Sequence, residues 1–146
     1  MTDDVEWVFW EGWRFPIAKT RRHRIMARKI SFEIFVKKTR NRDEIDIPHS
    51  IEIEGFLTYY LKKLERAGLI TIKEDGIQVK PEVQEQVINV NALLKRIHKE
   101  LSIREMAELF DVPISTVRAW LYYSSTPSSP EIVERIITLA TGRDTK

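Results

Sequence analysis

The sequence predicts a mainly α protein built from two small helical modules, with short β segments in supporting roles. Apolar residues recur at helical spacing over most of the chain, whereas a period of two is confined to residues 5–17 and 69–80. Proline and glycine divide the helical stretches into short helices. The chain has 146 residues, of which 42% are hydrophobic, so it is long enough to bury one ordinary core or two small ones.

The first stretch with a period of two is VEWVFWEGWRFPI, residues 5–17, which holds three of the four tryptophans. Its alternating side chains, followed by Glu11-Gly12, predict a strand or a hairpin. Large aromatic side chains in this density are rarely left on a monomer surface. We therefore expect core packing or a subunit contact here rather than a ligand cage.

Helical spacing predicts a helix over residues 21–38 and a second one from about Ile51 to Ala67. Gly68 follows the second helix at the position where a glycine commonly ends a helix. The segments LITIK and IQVK then alternate with a period of two around Glu74-Asp75-Gly76, which predicts a β hairpin. Pro81 ends it.

The C-terminal half begins with apolar residues at positions 83, 87, 90, 94, 97 and 101, a heptad spacing that predicts a linker helix over residues 82–101. Asn89 and Asn91 are poor helix formers and leave a break open as the alternative. Three short helices are then predicted at 103–110, 114–122 and 130–141.

Composition excludes several classes of protein. The chain has no cysteine, which excludes a disulfide scaffold, the usual zinc finger and a cysteine nucleophile. The three histidines lie far apart, and no catalytic or phosphate-loop motif is present. The acidic pairs Asp3-Asp4 and Asp43-Glu44 suit a solvated terminus and a turn. We therefore expect no enzyme activity, no metal, no cofactor and no small-molecule ligand.

The expected location is the cytoplasm. No apolar run approaches the roughly 18 residues that a membrane span needs, and the first residues, MTDDVEW, are acidic where a secretory signal is basic. No membrane partner is expected either.

Charge is distributed unevenly along the chain, although the net charge is only +2. Residues 19–42 contain ten basic residues and one acidic residue, a net charge of +9, whereas residues 43–60 contain five acidic residues and no lysine or arginine. We call residues 19–42 the basic block. It predicts contact with a polyanion such as nucleic acid. The alternative is a solvated helix face that pairs with the acidic residues 43–54.

Residues 102–121, SIREMAELFDVPISTVRAWL, have helix-turn-helix spacing, with a small Ala107 where two helices cross. With the following TPSSPEIVERIITLATG, this stretch resembles the Cro and phage-repressor (XRE-type) helix-turn-helix family over about residues 91–142. Asp111 stands where that family usually has glycine. The alternative is a helix-turn-helix kept for packing or dimerisation. The resemblance implies that the second helix reads DNA bases, with these residues at the interface: Arg104, Ser115, Thr116, Arg118, Tyr122 and Tyr123.

Residues 51–81 resemble the recognition helix and wing of a winged helix domain, and their most telling piece is LKKLERAGLITIKEDG. Pro48 leaves little room for the preceding helix of that domain, and a role in protein contact is the alternative. The resemblance implies DNA contacts from the helix and the wing, through Thr58, Tyr59, Lys62, Lys63 and Lys73.

The predicted organisation is therefore an aromatic segment at 1–18, a winged helix domain at 19–81, the linker helix at 82–101 and an XRE-like domain at 102–146. The resemblances imply a sequence-specific double-stranded DNA-binding protein that acts as a transcriptional repressor. Arg21, Arg22 and Arg24 of the basic block would anchor phosphates. A homodimer joined partly through the heptad seam, residues 83–101, is expected, with the aromatic segment as a second surface. The alternative is an assembly protein of a transcription, replication or partition complex.

Overall fold

In the computed structural model, the described residues are 4–47, 50–123, 125–127 and 129–141. Besides a π-helical segment and one 3-10 turn, helices and strands follow one another along the chain with these bounds: β1 Val5–Trp10, β2 Trp13–Ala18, α1 Arg24–Ser31, the π-helical segment Phe32–Val36, the 3-10 turn Arg42–Glu44, α2 Ile51–Arg66, β3 Ile70–Lys73, β4 Gly76–Val79, α3 Pro81–Gln84, β5 Ile88–Asn89, α4 Val90–His98, α5 Ile103–Phe110, α6 Ile114–Tyr122 and α7 Pro130–Thr141.

The predicted fold class, a mainly α protein with a winged helix-turn-helix and a C-terminal helix-turn-helix bundle, is wrong. The described residues form seven α-helices and five strands in two small antiparallel sheets, which is a mixed α/β architecture. One sheet has the strand order β1-β2-β5, and the other pairs β3 with β4. The class differs because the aromatic segment forms a true hairpin, and because Ile88–Asn89 adds a third strand to it.

The chain divides into two compact units. The first unit contains the residues up to Val8 together with Phe15–Ile88, and the second contains Phe9–Arg14 together with the residues from Asn89 onward. The hairpin of β1 and β2 therefore contributes its base to the first unit and its tip to the second. Glu11 and Gly12 at the tip have φ values of 54° and 84°, the backbone that a tight two-residue hairpin turn requires.

The core of the first unit is organised around the buried side chain of Tyr60 on α2. The backbone N–H of Ala18 donates to the Tyr60 hydroxyl at 2.9 Å, and the hydroxyls of Ser31 and Tyr60 share a hydrogen bond of 2.7 Å. Burial raises the pKa of Tyr60 to about 12. One hydroxyl thus links β2, α1 and α2. The buried apolar side chains of this unit include Phe15, Ile17, Ile30, Ile34, Phe35, Leu61 and Leu64.

Local signals around α2 are confirmed. Ser50 caps the helix by accepting from the Ile53 N–H, and Gly68 has a φ of +81° just beyond its end. Strands β3 and β4 pair antiparallel with Ile72 opposite Ile77. At the hairpin turn, a Cβ on Gly76 would collide with the carbonyl oxygen of Arg40. The predicted helix over residues 21–38 is shorter, because it begins at Arg24 and ends in the π-helical segment.

The stretch 82–101 is not one continuous helix: it consists of α3, β5 and α4. The Asn89 side chain accepts from the Ala92 N–H and caps α4, so the break left open at the asparagines is what the structure has. The predicted seam for dimerisation also lies largely inside the chain. Its residues Val83, Val90, Leu94 and Ile97 are at most 8% exposed, so they are core residues.

In the second unit, α5, α6 and α7 begin and end at the predicted residues. Their inward side chains join α4 in an apolar core formed by Leu94, Met106, Phe110, Val117, Val133 and Ile136. The helix-turn-helix spacing predicts inward side chains at Met106, Phe110, Val112, Val117 and Trp120. All of them are buried apart from Val112, which is half-buried. Within the described ranges, no helix is both long enough and apolar enough to cross a membrane.

We predict that Tyr60→Phe lowers the free energy of unfolding by about 1–3 kcal/mol, because the Ala18 N–H and the Ser31 hydroxyl lose their partner in the core. Chemical denaturation measures the loss. Tyr59→Phe is the matched control, because Tyr59 is 52% exposed and its substitution is expected to change stability by less than about 0.5 kcal/mol. Equal losses in the two variants would contradict the central role of the Tyr60 hydroxyl.

Candidate nucleic-acid interface

Helices α5 and α6 form a packed pair joined by the three residues 111–113. Asp111 adopts the left-handed conformation, with φ 55° and ψ 52°. The Val112 N–H donates to the Ala107 carbonyl at 3.0 Å, a hydrogen bond at the C-terminal end of α5. Ala107 is only 5% exposed, so a larger side chain there would meet its packed neighbours. The rings of Phe110 and Trp120 lie 6.3 Å apart and join the two helices.

Helix α6 presents one polar face to solvent. Ser115, Arg118 and Tyr122 follow the i, i+3, i+7 spacing of a single helix face, and all three are exposed. Val117, Trp120 and Leu121 on the opposite side are buried. Thr116 is half-buried at the edge of the exposed face, and Tyr123 follows the helix with 75% of its surface exposed.

Tyr122 is exposed but held in place. Its hydroxyl lies 3.4 Å from Nε2 of His98, and the two rings meet edge to face at 6.5 Å. Nδ1 of His98 lies 3.0 Å from the Leu101 carbonyl oxygen, which fixes the ring from behind. Arg104, on the first turn of α5, is exposed. Of the six residues predicted for this interface, only Arg104 and Arg118 are basic.

A capping box fixes the start of α5. The Ser102 side chain accepts from the Glu105 N–H at 3.1 Å, and the Ser102 N–H donates to the Glu105 carboxylate at 2.8 Å. The hydrogen bond from the Ser102 backbone, with a second from its side chain, lowers the pKa of Glu105 below its ordinary value. Helix α5 is thus held from its first residue.

The basic block lies in the first unit, where part of its charge is already paired. Arg24 donates to Glu6 at 2.6 Å, and this hydrogen bond lowers the pKa of Glu6. Lys37 pairs with Glu33 at 3.1 Å. Arg21 and Arg22 are exposed in the loop before α1, and among the described residues neither forms an ion pair with a carboxylate.

The structure joins two sets of residues that sequence reasoning kept apart. Arg21 and Arg22, predicted as part of the basic block, line the same surface pocket as Tyr59 and Lys63, predicted as part of a recognition helix. The pocket has a volume of about 400 Å³, and we call it the basic pocket; its lining residues are Thr20, Arg21, Arg22, His23, Phe56, Tyr59 and Lys63.

The remaining predicted residues of the first unit lie elsewhere. Thr58 lines a separate depression with Arg42, Asp43 and Glu54, where two carboxylates outnumber the single guanidinium. Lys62 is exposed on α2, and Lys73 is exposed at the end of β3, directly before Glu74-Asp75. These three residues therefore do not extend the basic pocket.

Thr20, His23 and Phe56 were missed as pocket residues. Thr20 and His23 flank the arginine pair in the sequence TRRH, but their proximity to Phe56 depends on the packing of α2, which no local pattern reveals. Within the part of the chain that the structure describes, no group of three or more histidine and acidic side chains could hold a metal ion.

Comparison with known proteins finds no matching family model, no similar curated protein and no similar solved structure. The resemblance of residues 91–142 to the XRE-type family therefore stays a prediction that depends on the residues quoted for it.

We predict that Ser102→Ala raises the pKa of Glu105 back toward the ordinary glutamate value, since the side-chain part of the capping box is lost. NMR titration of the Glu105 carboxyl measures the change. In the wild type, the contribution of this cap to stability is present above the ordinary glutamate pKa and is lost as the pH falls through the lowered pKa. An unchanged Glu105 pKa in the variant would contradict the capping geometry.

Proposed function

We propose that this protein binds double-stranded DNA sequence-specifically and acts as a transcriptional repressor in the cytoplasm. The observation that carries the proposal is the exposed face of α6, where Ser115, Arg118 and Tyr122 face solvent while Val117, Trp120 and Leu121 are buried. An α-helix with its side chains is about 10–12 Å across, which suits a major groove about 12 Å wide. The XRE-type resemblance of the same segment supports this use of α6.

Base reading would depend mainly on Arg118. An arginine on a helix in the major groove donates two hydrogen bonds to the O6 and N7 acceptors of guanine, the commonest specific contact. Ser115, one turn earlier, can donate to or accept from a base or a phosphate. Tyr122, braced by His98, and the nearby Tyr123 would lie along the DNA backbone, and Arg104 on α5 would contact a phosphate.

Affinity needs more positive charge than α6 carries, because phosphate contacts supply much of the binding free energy. Arg21 and Arg22 of the first unit are the best suited to this role, since both are exposed and neither pairs with a described carboxylate. Arg24 would contribute less, since Glu6 already neutralises it. Each phosphate contact adds about 0.9 to the slope of log affinity against log salt.

We also propose a homodimer, because a single helix with one outward arginine offers few contacts for finding one site in a genome. Its surface would be the groove between α5 and α7, where Leu109 is 45% exposed and Leu139 is 43% exposed. Glu131 and Arg135, one turn apart on α7, line the same groove. An antiparallel second copy of α7 would set each arginine opposite a glutamate, as a two-fold interface requires.

Selection of bound sequences from a random pool of duplex DNA is expected to enrich one motif. On that motif, Arg118→Ala is expected to cost about 1–3 kcal/mol and to relax the preference at one base pair. Arg96→Ala is the matched control, because Arg96 is exposed on α4 of the same unit. No enriched sequence would contradict the proposal, and capture of a protein partner without a DNA shift would favour the assembly role.

Sedimentation is expected to show a dimer at micromolar protein concentration and a monomer for the double variant Leu109→Glu/Leu139→Glu, which puts four carboxylates into the paired grooves. Ile25→Glu is the control, since Ile25 is 64% exposed in the first unit. A monomeric wild type would contradict the dimer. A double variant that stays dimeric would contradict only this surface.

A further inference from the structure

We infer that the basic pocket of the first unit binds a nucleoside phosphate, with the base stacked on Tyr59 and the phosphate held by Arg21, Arg22 and Lys63. This inference goes beyond the proposed function, because a protein that reads duplex DNA through α6 needs neither a concave pocket nor an unstacked base. The ligand is either a free nucleotide or an unpaired nucleotide of a nucleic-acid strand.

The first argument is shape. Pockets for small ligands have volumes of about 300–1,000 Å³, and the basic pocket, at about 400 Å³, lies near the lower limit. It therefore suits one nucleotide rather than a longer ligand. A duplex, whose bases are stacked and paired inside the helix, has no group that fills such a pocket.

The second argument is the arrangement of charge. Arg21 and Arg22 enter the pocket from the loop before α1, and Lys63 enters from α2. His23 lies 3.2 Å from the Glu52 carboxylate, and Glu52 itself does not line the pocket. Helix α1 has no acidic residue in its first turn and no side-chain cap, so its positive end also favours an anion. Guanidinium groups match the geometry of phosphate oxygens.

The third argument is the hydroxyl of Thr20. Its Oγ1 is buried and has no hydrogen-bond partner within the described residues, an arrangement that proteins seldom tolerate. Thr20 is also part of the pocket wall. A phosphate oxygen in the pocket would supply the missing acceptor once the threonine side chain rotates toward it.

The fourth argument is the aromatic surface. Tyr59 contacts Phe56, with ring centroids 6.2 Å apart, and Lys63, whose Nζ lies 5.7 Å from the Tyr59 ring centroid. Despite both contacts, Tyr59 remains 52% exposed. An exposed aromatic ring beside cationic groups is the arrangement by which proteins bind unpaired nucleotides, because every base has a flat face to stack. Inorganic phosphate alone would leave this ring unused.

The test is calorimetric titration of the full chain with four probes: deoxyadenosine monophosphate, deoxyadenosine, inorganic phosphate and a single strand of ten deoxyadenosines. The monophosphate is expected to bind about tenfold more tightly than the nucleoside or the phosphate alone, since it uses both halves of the pocket. A strand that binds more tightly than the monophosphate identifies the ligand as an unpaired strand. A strand that does not bind identifies a free nucleotide.

Two variants separate the halves of the pocket. Tyr59→Ala is expected to weaken monophosphate binding about fivefold or more and to leave phosphate binding unchanged. Arg21→Ala/Arg22→Ala is expected to remove binding of both. Lys29→Ala/Lys38→Ala is the matched control, because it removes the same charge from exposed positions of the basic block that do not line the pocket.

The inference is overturned if neither the monophosphate nor the strand binds at millimolar concentration, or if the control weakens binding as much as the arginine pair. Thermal unfolding of each variant confirms that it is folded. The result is distinguishable from that of the proposed function. Arg21 and Arg22 serve both proposals, but Tyr59→Ala tests only the pocket, and Arg118→Ala on selected duplex DNA tests only α6 in the other unit.

Discussion

The first unit depends on one buried hydroxyl. Tyr60 accepts a hydrogen bond from the Ala18 backbone and shares another with Ser31, so it anchors both the end of β2 and the end of α1. The loop at residues 19–23 runs between these anchored elements and is therefore confined, although most of its side chains face solvent. Tyr59 directly precedes Tyr60 on α2 and points to a different side of that helix. Helix α2 thus holds the elements on both sides of the loop through Tyr60. Through Tyr59 it lines the same pocket as the arginines of the loop.

In the second unit, local backbone contacts at the helix ends add to the apolar core formed by α4, α5, α6 and α7. A capping box begins α5, a left-handed aspartate ends it, and Asn89 begins α4. The tip of the first hairpin reinforces this arrangement, since the Val90 N–H donates to the Gly12 carbonyl at 2.8 Å and Arg14 pairs with Glu134 at 2.8 Å. The helices that pack against α6 are thus held at their ends, which would preorganise its exposed face for the DNA contact proposed above.

Sequence reasoning succeeded where structure is encoded within a few residues. Gly68 and Glu74-Asp75-Gly76 each mark an element end through local backbone chemistry, and the helix and the hairpin that they predict are confirmed. It failed where distant segments meet. Strand β5 forms only because the N-terminal hairpin offers it a partner more than 60 residues away, and a heptad spacing runs through the break without revealing it. The basic pocket likewise depends on a loop and a helix that lie far apart in the chain.

The division of the first hairpin between two units has a consequence for synthesis on the ribosome. The tip at Phe9–Arg14 is made first, whereas Glu134, its ion-pair partner in the second unit, lies 120 residues later than Arg14. Loop closure over such a separation is entropically costly and slow. The C-terminal helices therefore complete their packing only after α7 has left the exit tunnel. Until then, the aromatic tip lacks its packing partners in the second unit.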